Sequence, residues 1–118
     1  MSAAPAATPL SDADYHARAR AVLDHIEALV DRWLDEDLID IDSHRSGGLL
    51  ELSFPNGTKI VINTQPPLQE LWLAARGGGY HFRFCEGAWL DTKDATEFHA
   101  VLSREGSAQA GKALDFSA

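Results

Sequence analysis

Residues 49–63 read L-L-E-L-S-F-P-N-G-T-K-I-V-I-N, and this stretch decides the fold class. Leu49–Phe54 and Lys59–Asn63 are alternating apolar runs, the period of a strand with one buried face. Between them stands Pro55-Asn56-Gly57-Thr58. Asn-Gly between two alternating runs is the strongest short-range signal for a β-hairpin, because both residues accept the positive φ that a tight turn demands.

The same grammar extends in both directions. Downstream, Leu68–Ala74 reads as a strand, Gly77-Gly78-Gly79 as a turn and Tyr80–Cys85 as a further strand; Glu86-Gly87 then turns into a short piece around Trp89-Leu90. Upstream, Leu38-Ile39-Asp40-Ile41-Asp42 alternates isoleucine with aspartate as a half-buried strand would, and Gly47-Gly48 is a turn. Short turns between successive strands imply an antiparallel meander.

Outside the strands the period becomes helical. Ser11 with Asp14 resembles a capping box. Tyr15, Ala19, Val22, Leu23, Ile26, Leu29, Val30 and Trp33 follow at the three- and four-residue spacing of a helix with one buried stripe, ending near Leu34. Asp94, with Glu97 three residues on, is expected to cap a second helix that buries Phe98, Val101 and Leu102 and stops at Glu105-Gly106. Leu114 and Phe116 can lie back on the core. The expected fold is α+β: a two-layer α/β sandwich whose antiparallel sheet of five to six strands carries the N- and C-terminal helices on one face. Residues 1–10 read as a disordered tail and residues 11–118 as one domain.

Composition narrows the function. With 118 residues there is room for one core. Net charge is −8, from 18 acidic and 10 basic residues, and there is no Lys/Arg cluster of the kind that displaces counterions from phosphate. Nucleic acid is therefore excluded as a partner. No apolar run nears the roughly 20 residues of a membrane span, and the N-terminal stretch lacks the features of a signal peptide. The single cysteine, Cys85, excludes an internal disulfide and suits a reducing cytoplasm. An acidic protein attracts cations, whether metal ions or a basic patch on a partner.

The acids are concentrated. At about 100° per residue, Asp24, Glu27, Asp31 and Asp35 fall on one arc of the first helix, opposite Val22, Ile26, Leu29 and Trp33. Glu36 and Asp37 continue the arc past the helix end, and Asp40 and Asp42 point together away from the core face of the next strand. Residues 24–42 hold eight acids and one base, Arg32. Solvation of an ordinary surface face explains such a stripe in many proteins. Two costs count against that reading here. Like charges four apart destabilise a helix by roughly 0.2–0.5 kcal/mol a pair, and acids at a helix C-terminus oppose its dipole. Carboxylates suit hard cations, iron among them, and strung out along a surface they bind weakly. His16, about two turns before Asp24, can add a nitrogen ligand.

On the Leu68–Ala74 strand, alternation sends Leu71 and Leu73 to the core and Glu70, Trp72 and Ala74 to the open face of the sheet. On the Tyr80–Cys85 strand it turns His81, Arg83 and Cys85 outward. A tryptophan beside polar and basic groups has the composition of a binding hot spot; a tryptophan lying flat to shield the sheet fits the pattern equally well.

These residues carry a resemblance. An acidic first helix and strand, then N-G-x-K-I-V-I-N, then N-x-Q-x-P-L-Q-E-L-W-L-A, then G-G-Y-H-F, Trp89 and a closing helix resemble the frataxin family over about Ser11 to Phe116. The resemblance implies weak iron binding (Fe2+/Fe3+) on exposed carboxylates. It also implies a regulatory and iron-donating role in iron–sulfur cluster assembly, through the cysteine desulfurase IscS and the scaffold protein. Positions matching the family's metal residues are His16, Glu27, Asp31, Asp40 and Asp42, with Asp35, Glu36 and Asp37 in a loop of slightly different length; Asp24 joins them from the stripe itself. Asn63, Gln65 and Trp72 match its partner-facing residues. Thr64 stands where a basic residue is common and Pro67 where a polar one is, while Ala28 and Arg32 interrupt what is often a denser acidic run. A monomer is expected, with metal-driven oligomers. A ferroxidase or iron-storage protein is the enzymatic alternative, which needs converging ligands; a metal-independent acidic adaptor is the third. His25, His44 and His99 have no spacing that singles them out.

Overall fold

The computed structural model describes residues 6–117. Its order is α1 (Asp12–Asp35), β1 (Asp42–Ser46), β2 (Leu49–Ser53), β3 (Lys59–Gln65), a single 3-10 turn (Pro66–Leu68), β4 (Glu70–Ala75), β5 (Gly78–Cys85), β6 (Ala88–Asp91) and α2 (Phe98–Ala110). The six strands lie in chain order, each antiparallel to the next. Both helices pack on one face, and their apolar stripes close a single core with the inward side chains of the sheet. No helix among the described residues is long and apolar enough to cross a membrane.

The opening hairpin forms where expected, although of Asn56 and Gly57 only the glycine takes a positive φ. Leu50 and Leu52 oppose Ile62 and Ile60 and are fully buried. The turn is closed by Gly57 N–H donating to the Phe54 carbonyl, with Gly57 at φ 86°. Asn56 also ties the turn to α2, its amide donating to the Gln109 carbonyl at 2.6 Å.

Ser11 caps α1, its hydroxyl accepting from Asp14 N–H. The Tyr15 hydroxyl accepts from Gln65 N–H at 3.0 Å and donates to the Glu70 carbonyl at 2.7 Å. It thereby satisfies both strand ends where the proline pair breaks the ladder between β3 and β4. Further along α1, the Phe116 ring meets Trp33 edge-on at 4.9 Å, so the C-terminal segment does return to the core.

Several boundaries differ from the sequence reading. The alternating stretch Leu38–Asp42 is not itself a strand. Glu36–Leu38 complete the turn that ends α1, Ile41 is buried, and pairing begins only at Asp42, opposite Ser53. The third hairpin turns at Arg76-Gly77, with Gly78 and Gly79 already in β5, because Ala75 pairs with Gly78. Glu97, not Asp94, caps α2, its carboxylate accepting from the His99 and Ala100 N–H groups. Asp94 instead accepts from Thr96 N–H, and a bridge between Leu90 and Glu97 keeps this stretch out of the helix. Nor does α2 stop at Gly106. That glycine makes room for a neighbour, since a Cβ there would sit 2.9 Å from the Phe116 ring, and the helix runs on to a left-handed cap at Gly111, φ 71°. Residues 1–5 of the expected tail lie outside the described residues. Thr8 and Leu10 do not behave as tail: Thr8 N–H donates to the Phe84 carbonyl and the Leu10 carbonyl accepts from Gln69.

Candidate functional site

The buried stripe of α1 dictates where its acids go. With Val22, Ile26, Leu29 and Trp33 inward, Asp24, Asp31 and Asp35 stand exposed and Glu27 half-buried. The helix ends in a two-bond C-terminal turn: Leu38 N–H donates to the Trp33 carbonyl and Asp37 N–H to the Leu34 carbonyl. This turn places its left-handed residue at Asp37, φ 58°, a position where glycine is the unstrained choice. Asp37 is thus unfavourable twice, in backbone conformation and as an anion at the negative end of the helix dipole. Asp40 follows, exposed, and Asp42 opens β1. The register sets Ser43 and Arg45 opposite the inward Leu52 and Leu50, so Asp42 and His44 face the other side. The acids therefore run down α1 and round the edge strand onto the open face of the sheet.

They are not equivalent. Arg45 reaches from β1 to α1, where it donates to Asp24 at 2.8 Å and also to Glu27. The hydrogen bond with Asp24, foremost, raises the Arg45 guanidinium above its ordinary pKa. Arg32 lies 3.9 Å from Glu36. Among the described residues Asp31, Asp35, Asp37, Asp40 and Asp42 have no basic partner. No three His, Cys, Asp or Glu side chains among them converge as a metal cage. His16 is exposed but lines a groove with Arg20, Arg45, Gly48 and Thr64. Its neighbours in that groove are cationic, which is a poor setting for a metal ligand.

The open sheet face is organised by register. Asn63, Trp72 and His81 stand side by side on β3, β4 and β5, and Gln65, Glu70 and Arg83 form the next row. Trp72 is half-buried and stacks on the His81 ring at 4.1 Å and 6°. Its indole N–H donates to Glu70 Oε1 at 2.9 Å, and Arg83 Nε donates to Glu70 Oε2 at 3.3 Å. The flat, shielding geometry is the one adopted, with the ring held in place from two sides. Asn63 and Gln65 are half-buried. Cys85 is not outward in any accessible sense: it is 3% exposed, bracketed by Thr8, which bonds to the backbone of Phe84 and of Glu86. Burial pushes its thiol pKa up, against a nucleophilic role.

Two site residues escaped the sequence reading. Arg45 lies in a strand with no apolar residue, D-S-H-R-S, which carries no periodic signal. Glu70 did carry a signal, since it precedes Trp72 by two residues on the same face with Arg83 across the ladder. Its burial to 7% could not be read from that pattern.

Comparison with known proteins agrees with this architecture. A family model for the Frataxin-like domain matches residues 8–112. The chain is 50% identical over 108 residues to the "Iron-sulfur cluster assembly protein CyaY" of Paraburkholderia phymatum, covering 92% of this chain and 99% of the relative. Among solved structures it is similar to a frataxin from Psychromonas ingrahamii, with TM-score 0.73 and 30% identity over 92% of this chain and all of that one. It is also similar to a trimeric frataxin from the yeast Saccharomyces cerevisiae complexed with ferrous iron, with TM-score 0.66 and 28% identity over 92% of this chain and 93% of that one. With the family model matching residues 8–112, half of the residues shared with a relative over nearly its full length and the fold in common, the chain belongs to the frataxin family.

Proposed function

We propose that this chain is an iron-binding, non-enzymatic protein of iron–sulfur cluster assembly, acting in the cytoplasm as an iron-dependent regulator and iron donor. It docks on the cysteine desulfurase IscS and its scaffold. Relatives that share half its residues carry the assembly role in their names, and the yeast neighbour is complexed with ferrous iron. The observation that carries the reading is the unpaired run Asp31, Asp35, Asp37, Asp40 and Asp42, kept at a helix end where it costs stability. Hard, exposed, non-converging carboxylates favour weak, exchangeable binding of Fe2+. The acids turn the β1 edge toward the face that carries Trp72. One partner can therefore meet a basic patch with the ridge and an apolar pocket with the tryptophan.

The adaptor reading has its own support: Arg45 already seats a guanidinium on Asp24 and Glu27, as an arginine of a partner would. A single titration separates the two. Isotope-labelled protein is titrated anaerobically with Fe2+ and followed by amide NMR, then with the desulfurase. Iron is expected to perturb residues 31–42 first and the Arg45-bound acids last, leaving the Trp72 face for the desulfurase. If no amide responds to iron at moderate salt while the desulfurase still binds in a salt-sensitive way, the iron reading fails and the adaptor reading stands.

A further inference from the structure

On a different flank of α1 from its acids, two histidines meet. His25 from the middle of α1 and His99 from the first turn of α2 have ring centroids 5.9 Å apart at an interplanar angle of 72°. Each ring has one nitrogen committed. His25 Nε2 lies 3.1 Å from the Ser117 carbonyl, which can only accept, so that nitrogen carries the proton. His99 Nδ1 lies 2.6 Å from Glu97 Oε2, and the ionised carboxylate likewise only accepts. The nitrogens left for a further ligand are therefore His25 Nδ1 and His99 Nε2. Neither has a hydrogen-bond partner among the described residues, and no buried polar side-chain atom there lacks one. Both nitrogens are thus open to solvent rather than sealed in the core.

We infer that His25 and His99 form a two-histidine site for a borderline divalent ion of the Zn2+ or Cu2+ class, separate from the acidic ridge. Ligand chemistry, spacing and outer contacts all agree. Imidazole suits these ions, which outrank Fe2+ and Mn2+ at nitrogen sites. Zn–N bonds of about 2.0–2.1 Å at a tetrahedral angle put two ring centroids roughly 5–6 Å apart, which the observed separation meets. The partner of each N–H is of the kind that orients metal-bound histidine: a carboxylate at His99 and a backbone carbonyl at His25. No third side chain converges among the described residues, so water completes the coordination and affinity is modest. Because the ligands come from both helices and His25 also holds the C-terminal segment through Ser117, which α2 in turn binds through Ser103 and Ser107, occupancy ties α1 directly to α2 in an already hydrogen-bonded cluster.

The test is a Zn2+ titration of the full chain in a weakly coordinating buffer at neutral pH, reading the ring signals of all five histidines by NMR. His25 and His99 are expected to shift together and before His16, His44 and His81, with a rise in melting temperature. His25→Gln and His99→Gln, each retaining side-chain bulk, are each expected to weaken Zn2+ binding at least about tenfold. Amide spectra check that both remain folded. The inference is overturned if another histidine responds first, if only one of the pair responds, or if a folded single variant binds Zn2+ as the parent does. Since Fe2+ at the ridge is read from residues 31–42, failure here leaves the iron reading untouched.

Discussion

Arg45→Ala is the sharpest perturbation of the ridge, because it changes no acid yet alters how many are available. Arg45 holds Asp24 at 2.8 Å and Glu27 as well, and its own side chain is 23% exposed. Two partly exposed pairs are together worth about 0.5–2 kcal/mol. Their loss also leaves Asp24 and Glu27, three residues apart, to repel by roughly 0.2–0.5 kcal/mol. The sum is about 1–2 kcal/mol, or a fall in melting temperature of about 4–8 °C for a domain of this size. The binding effect has the opposite sign. One further negative charge then stands about 6 Å from Asp31, the length of a helical turn. In a water-like dielectric that adds about 0.7 kcal/mol of attraction per unit of cation charge. For doubly charged Fe2+ this is about 1.4 kcal/mol, which screening at physiological salt roughly halves, leaving a gain in affinity of about threefold. Thermal melts at low and high salt together with the amide-detected Fe2+ titration read both effects, and the perturbed stretch should now begin at residue 24. Unchanged stability would refute the bridge in solution. Lower stability with an unchanged iron response would refute the view that Arg45 occupies part of the iron-binding surface.

Other outcomes follow from single contacts. Tyr15→Phe removes the hydroxyl that links Gln65 N–H to the Glu70 carbonyl. Leaving one half-buried donor and one buried acceptor costs about 1–3 kcal/mol by urea unfolding, with the iron response unchanged; a loss under about 0.5 kcal/mol would mean that the two groups find each other or water. Asp37→Gly relieves a left-handed aspartate and removes an anion from the helix C-terminus. It should stabilise by about 1 kcal/mol while weakening Fe2+ binding. A variant more stable but equally iron-responsive would place Asp37 outside the binding surface.

What a sequence shows depends on how far apart the interacting residues lie. A property set within a few residues is visible in the chain. Tyr15 to Trp33 form one helical stripe, Asn56-Gly57 form the hairpin turn, and Leu71 and Leu73 face the core because period and turn chemistry are local. The error at Asp94 was also local in kind. Its spacing to Glu97 satisfies the capping pattern, but the bridge from Leu90 to Glu97 spends those residues on the sheet edge first. Gly106 misled for a related reason: a glycine that ends many helices is here the space for a ring ten residues further on.

Period and turn chemistry along the chain settle the two-layer fold, the concentration of charge on one helix face and the placement of Trp72 on the open side of the sheet. Which acids are available is settled by contacts between distant segments. Asp24 and Asp31 look alike in the chain, yet one is bound by an arginine 21 residues away and the other is not. Likewise, whether Trp72 stands free or lies flat depended on Glu70 beside it on β4 and on His81 and Arg83 across the single β4–β5 pair. Period and propensity fix the direction in which a side chain leaves the backbone. What it meets there is settled by how elements distant in the chain are brought together.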